Sequence, residues 1–210
     1  MRVFALAAII GLGLCVGAAD ARVYTDPAGR IVFDTPTNWP VGPLSAPEGV
    51  SYIIAGNDDN ECHFIVRTRA ETASATAYNV WRTLNDDARF TDAFWLGQAN
   101  SVARLFPGNS AVLVSHSRDD SAFWPMQRAE FTAPSSGRHI YAGFAMRPGV
   151  EMLGLCLSYE GTPPMATFDS ALRSMAHPND ATFRASAEEQ IAARAAAQAP
   201  QPAPAPAPNR

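Results

Sequence analysis

The stretch that most constrains this fold is residues 138–160, RHIYAGFAMRPGVEMLGLCLSYE. Two apolar runs, 139–146 and 151–159, flank Arg147-Pro148-Gly149-Val150. Proline fixes φ and glycine accepts positive φ, so the break reads as the tight turn of a β-hairpin. Side chains alternate along a strand. Leu153, Leu155, Leu157 and Tyr159 therefore point one way, and Met152, Gly154 and Cys156 the other. An arm apolar on both faces belongs in the middle of a sheet covered on both sides.

The N-terminus carries a different signal. Met1-Arg2 precedes an apolar run, 3–17, that closes on Ala19-Asp20-Ala21. A charged start, an apolar stretch and a small-x-small site describe a secretory signal peptide, residues 1–21, cut after Ala21. The run is too short to favour a membrane span. Cys15 follows Leu14, where a lipid-attachment site wants a small residue, so lipidation is not expected. No later apolar segment is long enough to cross a bilayer. The expected product is exported, periplasmic or secreted, with no transmembrane segment after signal cleavage.

The formal net charge is −4, and no basic tract marks a nucleic-acid partner. All 16 basic residues are arginine. After cleavage two cysteines remain, Cys62 and Cys156. An even count in an exported chain predicts a disulfide between them. Cys62 shares a strand face with Phe64 and Val66, while Cys156 lies opposite the leucine face. The bridge therefore requires both on one side of the sheet, or on a twisted edge, and predicts a helix over the Met152/Gly154 face, where glycine leaves room.

Read in order, residues 23–25 and 31–33 form a first hairpin about Asp26-Pro27-Ala28-Gly29-Arg30. Trp39 follows in a Pro-rich extended run and is expected to pack back on the sheet edge. Residues 41–49 read as a loop. Residues 51–55 and 62–69 form a second hairpin, whose second arm has one core face and one mostly wet face. Ala77, Val80, Trp81 and Leu84 fall on one helical stripe that Ser74 or Thr76 would cap. Residues 91–105 read as a short helical piece or an irregular crossing. Residues 111–116 and 122–132 form a third hairpin, with Pro125 marking an edge or a bulge. The central hairpin follows. Phe168, Leu172 and Met175 then mark a last helix, with Thr167 a candidate cap and Pro178 its end.

The domain is read as 22–177, a single α+β unit. Residues 178–210 are an Ala/Pro-rich low-complexity tail expected to be disordered. Residues 181–197 have helical propensity, but alanines are too small to dock firmly. The tail ends in a Pro-Ala repeat.

The segment DPAGRIVFDTPTNWPV at 26–41 and the closing Phe168-Asp169-Ser170-Ala171-Leu172-Arg173-Ser174 resemble the PsbP-like α/β/α sandwich family. The resemblance covers about residues 23–175. It implies a central antiparallel sheet with helices packed on both faces. It further implies a binding or assembly role rather than catalysis, by analogy alone. The cysteine pair and the Pro-Ala tail depart from the family pattern.

Candidate chemistry is sparse. Cys62 and His63 are strand neighbours and point to opposite faces, which denies them a nucleophile–base contact. Cys156, in the most apolar strand, would be an inert thiol. His63, His116, His139 and His177 show no HxH or HExxH spacing; His177 reads as a helix C-terminal cap. Asp58, Asp59 and Glu61 at one turn and Asp119 and Asp120 at another lack the alternation of a calcium loop. No catalytic residue, metal ligand or cofactor is therefore assigned, and an enzymatic role is not expected. Phe94-Trp95 and Phe123-Trp124 remain; in an extended segment one ring of each pair would be exposed and would mark a protein or small-ligand surface, and ordinary packing is the favoured reading. The expected function is that of an exported non-enzymatic protein that binds a protein partner or assists assembly in the cell envelope. The alternative is a metal-dependent small-molecule binder or hydrolase using His63, His139 and the acidic turns. A third reading is a tether spaced from a surface by the tail.

Overall fold

A computed structural model describes residues 21–199. Residues 1–20 of the expected signal peptide and the Pro-Ala repeat from residue 200 onward lie outside the described residues.

Among the described residues, nine strands and four α-helices are arranged as an α+β fold. The strands are β1 Ala21–Thr25, β2 Val32–Pro36, β3 Val41–Leu44, β4 Val50–Gly56, β5 Asn60–Thr68, β6 Val112–Asp119, β7 Met126–Ala133, β8 Arg138–Arg147 and β9 Val150–Ser158. The helices are α1 Ala77–Leu84, α2 Asp92–Asn100, α3 Met165–Arg173 and α4 Asp180–Gln198. Seven strands form one antiparallel sheet in the order β3-β4-β5-β9-β8-β7-β6. The expected central hairpin is β8–β9, turning at Gly149 with φ 81°. β9 is the middle strand, buried from Met152 to Leu157.

Each face of β9 carries its own core. Cys62, Phe64, Val66, Met152 and Cys156 lie against Phe168, Leu172 and Met175 of α3 and the turn after it. Ile31, Phe33 and Trp39 complete that layer, with the Phe33 and Phe64 rings stacked at 3.8 Å. The opposite face sets Ile65, Leu153, Leu155 and Leu157 against Phe90, Trp95, Val102 and Phe106 of α2 and its flanks. Both layers exclude water from large side chains, the main favourable term in folding.

The helix expected over glycine is α3. A Cβ on Gly154 would lie 2.5 Å from Leu172 Cδ2 and 2.9 Å from Met175 Sδ, so only glycine admits the helix at this height. Beneath it Cys62 and Cys156 are direct cross-strand partners, bridged, with Cα atoms 4.0 Å apart.

Several expectations change. The hairpin β1–β2 is a separate two-stranded sheet rather than part of the main one. It is fastened to the end of α3 by reciprocal backbone bonds between Val32 and Ala176 and by Ser174 Oγ, which accepts from Asp34 N at 2.7 Å. The loop expected at 41–49 contains an edge strand, β3. Pro43 is tolerated there because an edge strand has a side that needs no donor. The wet face expected on β5 is covered: His63 is fully buried and Ile65 nearly so, because α2 crosses there. The irregularity expected near Pro125 falls instead in β6, between Leu113 and Ser115, and Pro125 only precedes β7. Thr76 caps α1, accepting from Asn79 N at 3.2 Å, and Thr91 caps α2 in the same way. Thr167 lies inside α3 and caps nothing; Pro164 holds the N-cap position. Trp81, on the expected core stripe, is only half-buried, and its indole donates to Phe123 O at 3.1 Å.

The largest correction concerns residues 178–210. Their described part is ordered structure: α4 runs for 19 residues and lies against α1. Its alanines do not dock it; Ala187 alone is buried. Arginines do. Arg147 of β8 binds Asp180, Arg184 lies 5.1 Å from the Phe123 ring centre, and Arg194 lies 4.5 Å from that of Tyr78. Cation–π contacts thus replace the aliphatic packing that the sequence lacks.

Candidate functional site

The hydrolase reading required His63, His139 and the acidic turns to converge. Strand register keeps them apart. His63 is level with Leu155, which is level with Ala142. His139 lies three residues from Ala142, an odd step, and so projects from the opposite face two strands away. His139 is half exposed and bonds Glu130 at 2.5 Å. Asp119 is held by Arg128 and Arg173, and Asp120 by Arg118. Among the described residues no group of three or more His, Cys, Asp or Glu side chains could share a metal ion. Both cysteines of the nucleophile reading are consumed by the disulfide.

His63 instead belongs to a buried polar chain. Its Nε2 meets Glu61 Oε1, and its Nδ1 lies 2.6 Å from the Tyr52 hydroxyl. Burial pushes the Glu61 carboxyl up, but its bonds to His63 and Tyr159 outweigh that and hold it below the usual range. The carboxylate accepts from Nε2–H, and Nδ1 faces the Tyr52 hydroxyl. Tyr52 stays a phenol, pushed up to about 12 chiefly by burial. The chain satisfies its own polar groups.

The expected cap at His177 takes another form. Its Nδ1 accepts from Asn179 N at 3.0 Å, and burial lowers its pKa. It is a neutral acceptor that starts the turn into α4, not a cation at a helix end.

A cavity of about 510 Å³ lies between the segment leading into β7, the end of α3 and the first turns of α4. Phe123, Trp124, Met126 and Met175 make its apolar wall. Arg147, Arg173 and Arg184 are its basic residues, and Asp119 and Asp180 its acidic ones. Arg147 lies 4.3 Å from the Trp124 ring centre and makes two bonds to Asp180. Arg173 donates to Ser121 Oγ at 2.7 Å and pairs with Asp119. The Trp124 indole N–H is buried with no hydrogen-bond partner among the described residues. Of the two aromatic pairs singled out in the sequence, Phe94-Trp95 went into the core and Phe123-Trp124 into this wall. The arginines were not legible as site residues, because they arrive from β8, α3 and α4.

No family model matches the sequence, and no curated protein matches it. Solved structures do. The solution structure of cyanobacterial PsbP from Synechocystis is 18% identical, with 79% of this chain and 98% of that chain covered and a TM-score of 0.47. In fold, the chain resembles PsbP. A crystal structure from Bacteroides thetaiotaomicron is 9% identical over 76% of this chain and 49% of that one, at a TM-score of 0.41. A protein of unknown function from Pseudomonas aeruginosa is 13% identical over 88% and 98%, at 0.29.

Proposed function

We propose that this is an exported, non-enzymatic protein that binds a protein partner in the cell envelope. The partner inserts an apolar side chain into the cavity beside Trp124. The observation that carries this reading is the lining itself. Trp and Arg are enriched among interface hot spots, and Phe and Met in interface cores. An acceptor on the inserted segment would satisfy the Trp124 N–H. Export is supported by the Cys62–Cys156 bridge, since disulfides persist in oxidising compartments. Among the described residues no helix is long and apolar enough to cross a membrane.

The test is site-specific photo-crosslinking in the native envelope, with the photoreactive residue at Phe123 and a control at Val23, which is exposed on β1. The expected result is one adduct from position 123 and none from 23. The purified partner should then bind the wild type at least tenfold more tightly than Trp124→Ala or Arg173→Glu. Equal adducts from both positions, or binding indifferent to both substitutions, would overturn the proposal.

A further inference from the structure

Eight arginines of the described chain are held by carboxylates. Arg104 and Arg138 are not, and they line the same cavity, of about 270 Å³. It lies beside the β7–β8 turn. Ser135 and Ser136 of the β7–β8 turn add two hydroxyls to it, and Ile140 and Leu157 form part of its apolar wall. Neither guanidinium has a hydrogen-bond or ion-pair partner among the described residues. Arg138 is nonetheless positioned, its guanidinium 4.6 Å from the centre of the Tyr159 ring. The carboxylate in electrostatic reach of Arg104 is Glu61. It is already occupied by His63 and Tyr159, so two positive charges face this cavity without a counter-charge of their own.

We infer that Arg104 and Arg138, with Ser135 and Ser136, form a binding site for a phosphoryl dianion. Two planar guanidiniums supply paired donors suited to tetrahedral oxyanions. The Ser135 hydroxyl supplies a further donor, the Ser136 hydroxyl already donating to Ala133 O at 3.3 Å, and a dianion matches the two charges. The apolar wall accepts a short hydrocarbon substituent on the phosphoryl group. The same chemistry is offered by a free phosphate or small phosphomonoester and by the headgroup of phosphatidic acid. This site is separate from the cavity beside Trp124.

The test uses the full mature chain and the double variant Arg104→Gln/Arg138→Gln, with circular dichroism to establish that both are folded alike. Inorganic phosphate and phenyl phosphate are titrated by calorimetry at fixed ionic strength, and by NMR of the arginine Nε–H resonances. Saturable binding by the wild type, at least tenfold weaker in the double variant, is the expected result. Sedimentation with phosphatidylcholine vesicles, with and without phosphatidic acid, separates the sources. Wild-type sedimentation with the acidic vesicles alone, lost in the double variant, assigns a lipid headgroup; phosphate binding without sedimentation assigns a soluble phosphate. Absence of saturable binding to every probe, or equal binding by the wild type and the double variant, overturns the site.

Discussion

Arg147 and Asp180 meet through two parallel bonds, Nε to Oδ1 at 2.6 Å and Nη2 to Oδ2 at 2.7 Å. Arg147 is 3% exposed at the end of β8, and its Nη1 also donates to Met146 O. Asp180 is the first residue of α4 and is only partly buried, so one fork with a buried arginine ties a helix without an aliphatic stripe to the sheet. Breaking a buried pair from one side strands the other charge and costs about 3–5 kcal/mol. Asp180→Ala is therefore expected to lower stability by roughly that amount in urea unfolding. The α4 amides should lose hydrogen-exchange protection before those of the sheet. The double variant Arg147→Met/Asp180→Leu, which removes both charges, should cost less than the single change. Unaltered protection of α4 in Asp180→Ala would show that the fork does not hold the helix.

The disulfide closes a loop between residues 94 apart in sequence. On the chain-entropy estimate such a loop contributes about 4–5 kcal/mol. Cys62→Ala/Cys156→Ala is expected to shift the urea midpoint down accordingly. Mass spectrometry of non-reduced exported protein should find no alkylatable thiol; two free thiols would contradict the bridge.

Gly154→Ala places a methyl group within 2.5 Å of Leu172 and should cost about 1–3 kcal/mol by overpacking. Leu172→Ala vacates the same space, so the double variant should be more stable than the sum of the two single losses implies. A thermodynamic cycle on the four proteins measures that coupling. Additive losses would mean that Gly154 does not set the height of α3.

Acid should loosen α4 before the sheet. His177 is neutral in the fold, its pKa lowered first by burial and also by Arg147, against the opposing pull of Asp180. A depressed folded pKa gives stability that is complete above the ordinary histidine value of 6.5 and is lost as pH falls through the folded value. Asp119 acts in the same direction at lower pH. Burial raises its carboxyl, but Ser121, Arg128 and Arg173 outweigh that and lower it. Its contribution is present above the ordinary aspartate value and declines as the carboxyl protonates. The expected result is a two-stage loss, with α4 exchange rising just below pH 6.5 and the α3 end following in stronger acid. His177→Gln should flatten the first stage only. A first stage that survives this substitution would assign it to another group.

What was legible in the sequence was what period and composition encode. The stripe Ala77, Val80, Leu84 became α1, the two-sided apolar arm became β9, and Gly154 next to a cysteine foretold α3. β3 was hidden because Gly42 and Pro43 look like a loop, and its strand character comes from pairing with β4. α4 was hidden for a related reason. An alanine-rich helix carries no apolar stripe, and its partners Arg147, Phe123 and Tyr78 lie far away in sequence. The Trp124 cavity was half visible, through its aromatics. Nothing local to Arg147, Arg173 or Arg184 distinguishes them from other arginines.

The pairing of β5 with β9 also imposes an order in time. Cys62 and its sheet neighbour Cys156 are made far apart during synthesis, and everything from α1 to β8 emerges between them. Until β9 appears, β5 has a partner on one edge only, and half of the eventual sheet waits with an open flank. Non-local pairings of this kind are slow and leave unpaired edges exposed. A chain built this way is best kept unfolded until its last strand has arrived, a requirement that a route delivering an extended polypeptide would meet by its nature.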